Sequence, residues 1–357
     1  MRKLLNSLYI IDETAYLTLD GENVVCRTKN EDGEYSGEKF RLPFTTIEDI
    51  YIFSYIGCSP ALMGKCTEYG IPINFISPQG KFLARVQGKP KGNVYLRKAQ
   101  FEKFGTEQTE MMQNCVAAKL SNTRYLIKRS MRDAPEINAD GALTDCISYL
   151  ESGIKSVYEM KDKEMIMGVE GSCAKAYFDI FDRLIRQQKE EFKLLNRTKR
   201  PPLDRMNAML SFLYTIAVSW YTSALESVGL DSCCGFYHSL RPGRASLACD
   251  MVEETRCICE RLVLTMINLK MIKAEDFETQ PSGAVYLSKD GKKKVLTAWQ
   301  ERKRGKIDHP YLGEKIPLGL LPYVQSSLMA KYIRGEISEY PCYLLKYVTK
   351  NDDISKL

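Results

Sequence analysis

The chain changes character once, at the short basic segment 88–92 (Gly-Lys-Pro-Lys-Gly). Before this segment, β-branched and aromatic residues form short runs separated by turn dipeptides such as Asp20-Gly21, which is typical of paired strands. After it, apolar residues recur at helical spacing and turn signals become sparse. We therefore predict an α+β protein, in which a small N-terminal β-sheet domain, similar to a β-sandwich, precedes a larger all-α domain.

The predicted bounds are 1–88 for the β domain, 89–94 for the linker and 95–357 for the helical domain. On a soft prior of ~150 residues per domain, a chain of 357 residues suggests two or three domains. Gly and Pro interrupt helices and strands alike, which is why the linker is placed at this segment.

Four local signals make specific predictions about helices and turns. Ser59 followed by Pro60 predicts the start of a helix inside the β domain. Asp204 is a predicted N-cap, and Ser246 is predicted to cap a long buried helix over 246–273. The tripeptide 289–291 (Lys-Asp-Gly) is predicted to turn a small hairpin inside the helical domain.

Composition excludes several classes of protein. The 12 cysteines include no C-x-x-C pair, which argues against zinc ribbons and secreted disulfide frameworks and favours reduced, mostly buried thiols. No apolar run reaches the ~18 residues of a membrane helix, and the N-terminus lacks a signal-peptide pattern, so we predict a cytoplasmic protein without a membrane partner. The net charge of +6 only weakly favours a polyanionic partner.

The candidate chemistry is concentrated around one of the two histidines. His238 lies in a loop between helical segments, and the acidic residues Asp250, Glu253 and Glu254 follow it. Asp250 shares a helix face with both glutamates, at spacings of three and four residues. Carboxylates on one buried face repel each other unless a cation or a proton intervenes. Oxygen ligands with one imidazole suit Mg²⁺ or Mn²⁺ better than zinc.

Glu170, among small residues on another predicted helix, is a candidate for the third carboxylate. Each candidate also has a structural interpretation. Taken alone, His238 is more typical of a hydrogen-bonded structural histidine, and Glu170 of a surface residue. Asp250 and Glu253 are as readily paired with Arg256 or Arg244 as with a metal. The second histidine, His309, is more typical of a loop or cap residue.

Several motifs, in one order and spacing, resemble one family: the CRISPR-associated integrase-endonuclease, the first protein of the CRISPR adaptation module. They are Gly168 to Gly171; Arg200-Pro201-Pro202 with Asp204, Asn207, Ser211 and Tyr214; Gly229-Leu230-Asp231; Gly235-Phe236 with His238; and Arg241 to Arg244 with Ser246, Asp250, Glu253 and Arg256. The resemblance extends over essentially the whole chain. The segments 92–100 and 299–315 resemble the type I-C subtype.

The resemblance implies a metal-dependent reaction on DNA, in which a DNA 3′-hydroxyl attacks a phosphodiester of the repeat array. It implies Glu170, His238 and Glu253 as ligands of Mg²⁺ or Mn²⁺, with an adjacent acid as a helper. Asp250 is the usual helper, and Glu254 remains an alternative. Cys233-Cys234 departs from the family pattern, which leaves the conformation of the loop before His238 open.

Basic residues are the candidates for DNA contact. Arg241 is predicted to stabilise charge in the transition state and Arg244 to bind a phosphate, although both are equally suited to neutralising the nearby acids. Segment 81–103 holds seven basic residues against one acid, and segment 292–306 has the same balance. The specific candidates for contact with double-stranded DNA are Lys81, Arg85, Lys89, Lys91, Arg97, Lys98 and Arg200.

The resemblance also implies partners. The family forms a homodimer through its β domains, and two dimers flank a dimer of a small companion protein, giving a 4:2 heterohexamer.

Two other functions remain open: a structure-specific nuclease that resolves branched repair intermediates, and a catalytically silent DNA-binding scaffold. An intact set of Glu170, His238 and Glu253 argues against the silent scaffold.

Overall fold

The structure is a computed structural model, and it describes residues 5–29, 34–88, 94–198 and 200–345. The N-terminal elements are β1 (Asn6–Ile10), β2 (Ala15–Asp20), β3 (Asn23–Lys29), β4 (Tyr35–Pro43), β5 (Ile47–Ile52), α1 (Pro60–Tyr69), β6 (Ile73–Ile76) and β7 (Phe82–Val86). Strands β2, β3 and β4 form an antiparallel sheet. Strands β1, β5, β6 and β7 form a second sheet in that order, with only β7 antiparallel to its neighbour.

The two sheets and α1 enclose one apolar cluster. Leu17 of the first sheet, Ile50 of the second and Leu62 of α1 all belong to it, and none of them has exposed surface. The predicted start of α1 is confirmed, because the Ser59 side chain accepts a hydrogen bond from the backbone N–H of Leu62 at 3.2 Å. The helix therefore begins where its cap satisfies a free N–H group, and it closes the end of this core.

The rest of the described chain is mainly helical. The helices are α2 (Val94–Phe104), α3 (Thr109–Asp133), α4 (Ala142–Glu159), α5 (Lys163–Phe181), α6 (Arg205–Ser227), α7 (Ser246–Glu253), α8 (Arg256–Asn268), α9 (Lys289–Arg304) and α10 (Leu321–Ile333). Two short hairpins lie among them: β8 (Phe277–Thr279) with β9 (Val285–Leu287), and β10 (Lys306–His309) with β11 (Glu314–Pro317). The predicted fold class, a sheet region followed by a helical domain, is confirmed.

Helix α6 forms the centre of the helical region. Its predicted cap is confirmed, since Asp204 accepts a hydrogen bond from the N–H of Asn207 at 2.7 Å. Among the described residues, α6 is the one helix long and apolar enough to cross a membrane by length and composition. Since 72% of its apolar window is buried within the protein, its hydrophobicity is explained by a core position.

The predicted continuous helix over 246–273 is wrong, because the chain breaks at Glu254 and Thr255 to give α7 and α8. Ser246 is not the N-cap either. It is the first helical residue, and its hydroxyl donates to the carbonyl of Ser239 at 3.3 Å. Because of this break, the successive residues Glu253 and Glu254 point into different surroundings.

The predicted hairpin at 289–291 is also wrong, since these residues form the first turn of α9. Ser288 caps that turn by accepting a hydrogen bond from the N–H of Gly291 at 3.1 Å. Gly291 is needed for close packing, because a Cβ atom there would lie 2.2 Å from the carbonyl oxygen of Asp276. An Asp-Gly pair suits both a turn and a helix start, and the preceding serine decides between them.

Side chains of the helical region pack directly on the sheet region. Phe53 stacks on Phe212 of α6, with ring centroids 5.6 Å apart. Lys303 of α9 is 1% exposed and donates to the hydroxyl of Ser7 at 2.8 Å. Residues 89–93 of the predicted linker lie outside the described residues, together with Lys89 and Lys91, so the domain bounds stay a prediction.

Candidate metal and DNA site

Asp250, on the short buried helix α7, organises the loop that precedes it. One carboxylate oxygen, Oδ2, accepts hydrogen bonds from the backbone N–H groups of Phe236 and Tyr237 at 2.8 and 3.0 Å. The other, Oδ1, accepts the N–H of His238 at 2.7 Å. Asp250 has no exposed surface, so the carboxylate replaces water for three successive amides and holds the loop in one conformation.

The close approach of loop and helix requires a glycine. A Cβ atom at Gly235 would lie 2.5 Å from Asp250 Oδ2 and 2.8 Å from the backbone nitrogen of Leu247. Such distances are too short for any side chain, so Gly235 lets the loop backbone reach the carboxylate. This explains in physical terms the glycine that precedes the histidine in the motif.

Asp250 also orients the His238 ring. His238 Nδ1 lies 2.7 Å from Asp250 Oδ1, and the His238 side chain is 21% exposed. A carboxylate on Nδ1 favours the tautomer that carries its proton there, which leaves the Nε2 lone pair available to a ligand on the far side of the ring. Tyr237 packs edge-on against the ring at 5.4 Å and limits its rotation.

Glu170 of α5 and Glu253 of α7 meet at the ammonium group of Lys119 from α3. Lys119 Nζ contacts Glu170 Oε1 and lies 2.6 Å from Glu253 Oε2. Arg256 binds the other oxygen of Glu253 at 2.9 Å. The structure therefore brings the two predicted carboxylates together on one positive charge, and it also confirms the alternative pairing of Glu253 with Arg256.

The electrostatics keep Glu253 ionised. Burial opposes its charge, but Lys119 and Arg256 outweigh that cost and hold the pKa of Glu253 well below its usual range, with a smaller contribution from His238. The same two carboxylates raise the pKa of Lys119, although burial and Arg256 act in the opposite direction. Glu253 and Lys119 are thus both charged at neutral pH.

Glu254, the alternative helper, points away from this cluster into a separate buried network. Its carboxylate accepts the Tyr340 hydroxyl at 2.7 Å, the backbone N–H of Tyr343 at 2.6 Å and Gln325 Nε2 at 3.1 Å. Burial outweighs these hydrogen bonds and raises the pKa of Glu254 to about 7. Glu254 therefore anchors the C-terminal segment behind the site, and of the two candidates only Asp250 contacts a predicted ligand.

The loop that contains Cys233 and Cys234 is held by a residue from α2. Gln100 is fully buried, and its Nε2 donates to the carbonyls of Asp231 and Cys234, both at 2.8 Å. Its Oε1 accepts the N–H of Asp231 at 2.9 Å. The side-chain amide of Gln100 thus holds the conformation of the loop before His238, which the sequence had left open. All twelve cysteines lie in described segments and are free, as predicted.

The predicted DNA-contacting residues fall into different surroundings. Lys81, Lys98, Arg200 and Arg241 are exposed, whereas Arg97 and Arg244 are half-buried. In the described structure neither Arg241 nor Arg244 forms an ion pair with Asp250, Glu253 or Glu254, so the neutralising interpretation of these arginines is not supported.

Arg85 points inward, which argues against its predicted contact with DNA. Its side chain is 10% exposed, donates to Ser223 Oγ at 2.5 Å and lies 3.7 Å from Glu226. The basic residues of segment 292–306 are also divided, because Lys303 is buried and Lys294 binds Asp276 at 2.7 Å. In a helix, some side chains of a basic segment face the protein interior and others face solvent. A count of charges along the sequence does not distinguish the two.

His309 is a structural histidine at the end of β10. It is 1% exposed, and its ring lies between Gln325 Oε1, 2.9 Å from Nε2, and the N–H of Leu312, 3.3 Å from Nδ1. Burial lowers the pKa of His309, and the hydrogen bond that its Nε2–H donates to Gln325 Oε1 offsets only part of that effect. The predicted cap role is close to this arrangement, although the residue belongs to a strand and not to a loop.

We expect His309 to make stability depend on pH. Because its pKa is lowered by folding, the unfolded chain takes up a proton first, and stability is lost as the pH falls below the ordinary histidine value of 6.5. Urea denaturation at pH 7.5 and 5.5 should show a smaller loss for His309→Gln than for the wild type. His238 is the only other histidine and is common to both proteins. Equal losses in both would contradict the assignment.

Comparison with known proteins places this arrangement in a family. The family model described as CRISPR associated protein Cas1 matches residues 8–301. The chain belongs to the Cas1 family. A CRISPR-associated endonuclease Cas1 of Chlorobaculum tepidum is 41% identical over 347 residues, which cover 96% of this chain and 99% of that protein. The family predicted from the motifs is therefore confirmed, whereas the subtype stays a prediction.

Two solved structures share the fold of this Cas1 family member. A casposase bound to an integration product superposes with a TM-score of 0.82 at 20% identity, covering 97% of this chain and 96% of that one. A chain of a Cas6-RT-Cas1–Cas2 complex gives a TM-score of 0.78 at 20% identity, covering 98% of this chain and 37% of that one. At this identity the likeness concerns the fold alone.

Sequence reasoning missed Lys119 in this Cas1 chain. The residue lies between the buried residues Ala118 and Leu120 of α3, and its side chain is 13% exposed. A lysine on a largely buried helix face needs an acidic partner, which is a usable signal. The sequence could not show that Glu170 is the acidic partner of Lys119, because the two residues are 51 positions apart along the chain.

Proposed function

We propose that the protein is a metal-dependent DNA integrase and endonuclease, which inserts spacer DNA into a CRISPR array by attack of a 3′-hydroxyl on a phosphodiester. The observation that carries the proposal is the meeting of Glu170 and Glu253 at Lys119, together with the orientation of His238 by Asp250, in a member of the Cas1 family. It is also supported by the relatives named endonucleases and by a fold neighbour bound to an integration product.

The donor set fits Mg²⁺ or Mn²⁺. Glu170, Glu253 and His238 would hold the ion, and two carboxylates with one imidazole suit these metals. Among the described residues, no three His, Cys, Asp or Glu side chains are grouped closely enough to hold a metal ion, and Lys119 Nζ lies between the carboxylates of Glu170 and Glu253. Glu253 Oε2 is buried without an aligned hydrogen bond, so it retains a lone pair for a cation. When bound, the metal would act as a Lewis acid on the phosphoryl oxygen.

The protein's own groups then have positioning and electrostatic roles. Asp250 keeps the His238 ring in one tautomer and orientation through Nδ1. Arg241, which is exposed on the adjacent loop, would contact the negative charge that develops on the phosphate, and the half-buried Arg244 would steady a neighbouring phosphate. No protein nucleophile is required, because the attacking hydroxyl belongs to DNA.

DNA would be held largely through its phosphates. Lys81, Lys98 and Arg200 are the exposed candidates, with Arg97 half-buried. We further propose a homodimer formed through the sheet region, joined by a small companion protein in a 4:2 assembly, since a fold neighbour is named a Cas1–Cas2 complex. The type I-C subtype and a cytoplasmic location belong to the same proposal and rest on the sequence resemblance.

A structure-specific nuclease acting on branched DNA is the second candidate. It would use the same site with water as the nucleophile, and it is favoured by the name endonuclease carried by the relatives. The two functions differ in the product, because one joins strands and the other only cleaves them.

The test is strand transfer of a short duplex with free 3′-hydroxyls into a supercoiled plasmid carrying a CRISPR repeat. The reaction contains the companion protein and Mn²⁺, and wild type is compared with His238→Ala. We expect joined product from the wild type and only background from the variant. Joined product from His238→Ala would disprove the metal site. Cleaved branched DNA without any joining would instead support the repair nuclease.

A further inference from the structure

We propose that Lys119 is a resident counter-ion of Glu170 and Glu253, and that a divalent metal displaces it on binding. The inference rests on the metal site proposed above and concerns how the chain keeps that site folded before the ion arrives. It makes Lys119 a positioning residue that sets the affinity for the metal, because ammonium and metal compete for the same oxygens.

The contacts of Lys119 are those of a stand-in cation. Its Nζ lies between the carboxylates of Glu170 and Glu253, and these two are the side chains it pairs with in the described structure. The side chains of Lys119 and Glu253 are only 13% and 8% exposed. Solvent therefore screens this cluster poorly, and two adjacent carboxylates without a cation would repel each other strongly.

The charges of Glu170 and Glu253 are matched by two nearby cations without a metal, although Arg256 is shared with Glu260. Glu170 and Glu253 supply two negative charges, and Lys119 and Arg256 supply two positive charges within ion-pair distance. A bound dication would add two positive charges at the same oxygens. One resident cation must then leave or an anion must arrive, since like charges in a poorly solvated site repel strongly.

Lys119 is the cation suited to leave. Arg256 is anchored by further contacts, because its guanidinium lies 4.3 Å from the centre of the Tyr214 ring and its Nε lies 3.8 Å from Glu260. Lysine has a flexible stem and a point charge, and it lacks the rigid fork of arginine. Lys119 also lines a cavity of about 330 Å³ next to Glu170, into which its ammonium can turn.

Displacement would couple metal binding to DNA binding. With the ammonium turned into the cavity, which Arg197, Arg256 and Glu260 also line, the exchange of one ammonium charge for a dication makes the site more positive. A DNA phosphate would then be attracted only after the metal is bound, so the metal-free protein would not hold the reacting phosphate at this position.

The experiment is calorimetric titration of DNA-free protein with Mn²⁺ at pH 7.5, together with the thermal unfolding temperature without metal. Lys119→Met should bind Mn²⁺ at least about tenfold more tightly than the wild type, because the competing charge is gone. Its metal-free unfolding temperature should fall, because the two carboxylates lose their partner. Lys175→Met is the matched control: Lys175 lines the same cavity but pairs with Asp179, and it should change neither value.

The outcomes separate this inference from the proposed function. Unchanged or weaker Mn²⁺ binding by Lys119→Met would overturn the counter-ion role, and Lys119→Gln provides the same test if the first variant does not fold. Mass-spectrometric labelling of wild-type lysines provides a third, in which Lys119 should gain reactivity when Mn²⁺ is added and unchanged reactivity would overturn the role. If His238→Ala bound Mn²⁺ as the wild type does, the metal site itself would be wrong.

Discussion

Replacing Asp250 with alanine is expected to abolish strand joining and to lower the free energy of unfolding by about 4 kcal/mol. The carboxylate accepts three backbone N–H groups and pairs with His238 Nδ1, all at 2.7 to 3.0 Å and without exposed surface. Alanine would leave these donors buried without an acceptor, so the loop would rearrange and His238 would lose its orientation. Asp250 thus influences activity through position, without needing to touch a metal.

Urea denaturation and the plasmid joining assay measure the two effects separately. Asp231→Ala is the matched control, because Asp231 lies in the same loop but its carboxylate accepts a single backbone N–H in the described structure, from Cys233 at 2.8 Å. We expect it to cost only about 1 kcal/mol. Wild-type joining by Asp250→Ala would show that the loop does not need its carboxylate and would remove Asp250 from the site.

The neighbouring glutamates should respond to mutation in different ways. Glu253→Gln is expected to reduce joining by about a thousandfold, because the neutral amide is a poor metal ligand and leaves Lys119 and Arg256 without a common anion. Glu254→Gln should retain joining to within about tenfold, since its carboxylate contacts the network of Gln325, Tyr340 and Tyr343 and not the cluster.

Both variants should lose stability, because both side chains are buried, so joining must be measured where each protein is folded. Circular dichroism identifies those conditions, and the initial rate of joining is then compared. Equal loss of activity in the two variants would mean that the break between α7 and α8 does not separate a chemical glutamate from a structural one.

Local sequence signals were sufficient for much of the fold. Ser59 and Asp204 start their helices as predicted, because an N-cap needs only a side-chain oxygen a few atoms from the free N–H groups. The change in apolar spacing near segment 88–92 predicted the order of sheet and helical regions for a similarly local reason. The ordered motifs were sufficient to recognise the family.

Where local signals conflicted, only the tertiary structure decided. At 289–291 the local cap from Ser288 permits a helix start, and the packing of Gly291 on Asp276 fixes it in place of the predicted hairpin. The break between α7 and α8 depends on Glu254 finding partners in the C-terminal segment, 86 and 89 residues away along the chain. No pattern within the 246–273 segment contains that information.

The candidate site divides in the same way. The sequence alone determined which residue types are available: one histidine after a glycine, an aspartate and a glutamate three residues apart, and a glutamate among small residues. The tertiary structure decided their roles, placing Asp250 on His238 Nδ1 and Lys119 between Glu170 and Glu253. The physical reason is that a charge buried on one helix is stabilised by a partner on another, and the distance between those helices is set by packing and not by sequence spacing.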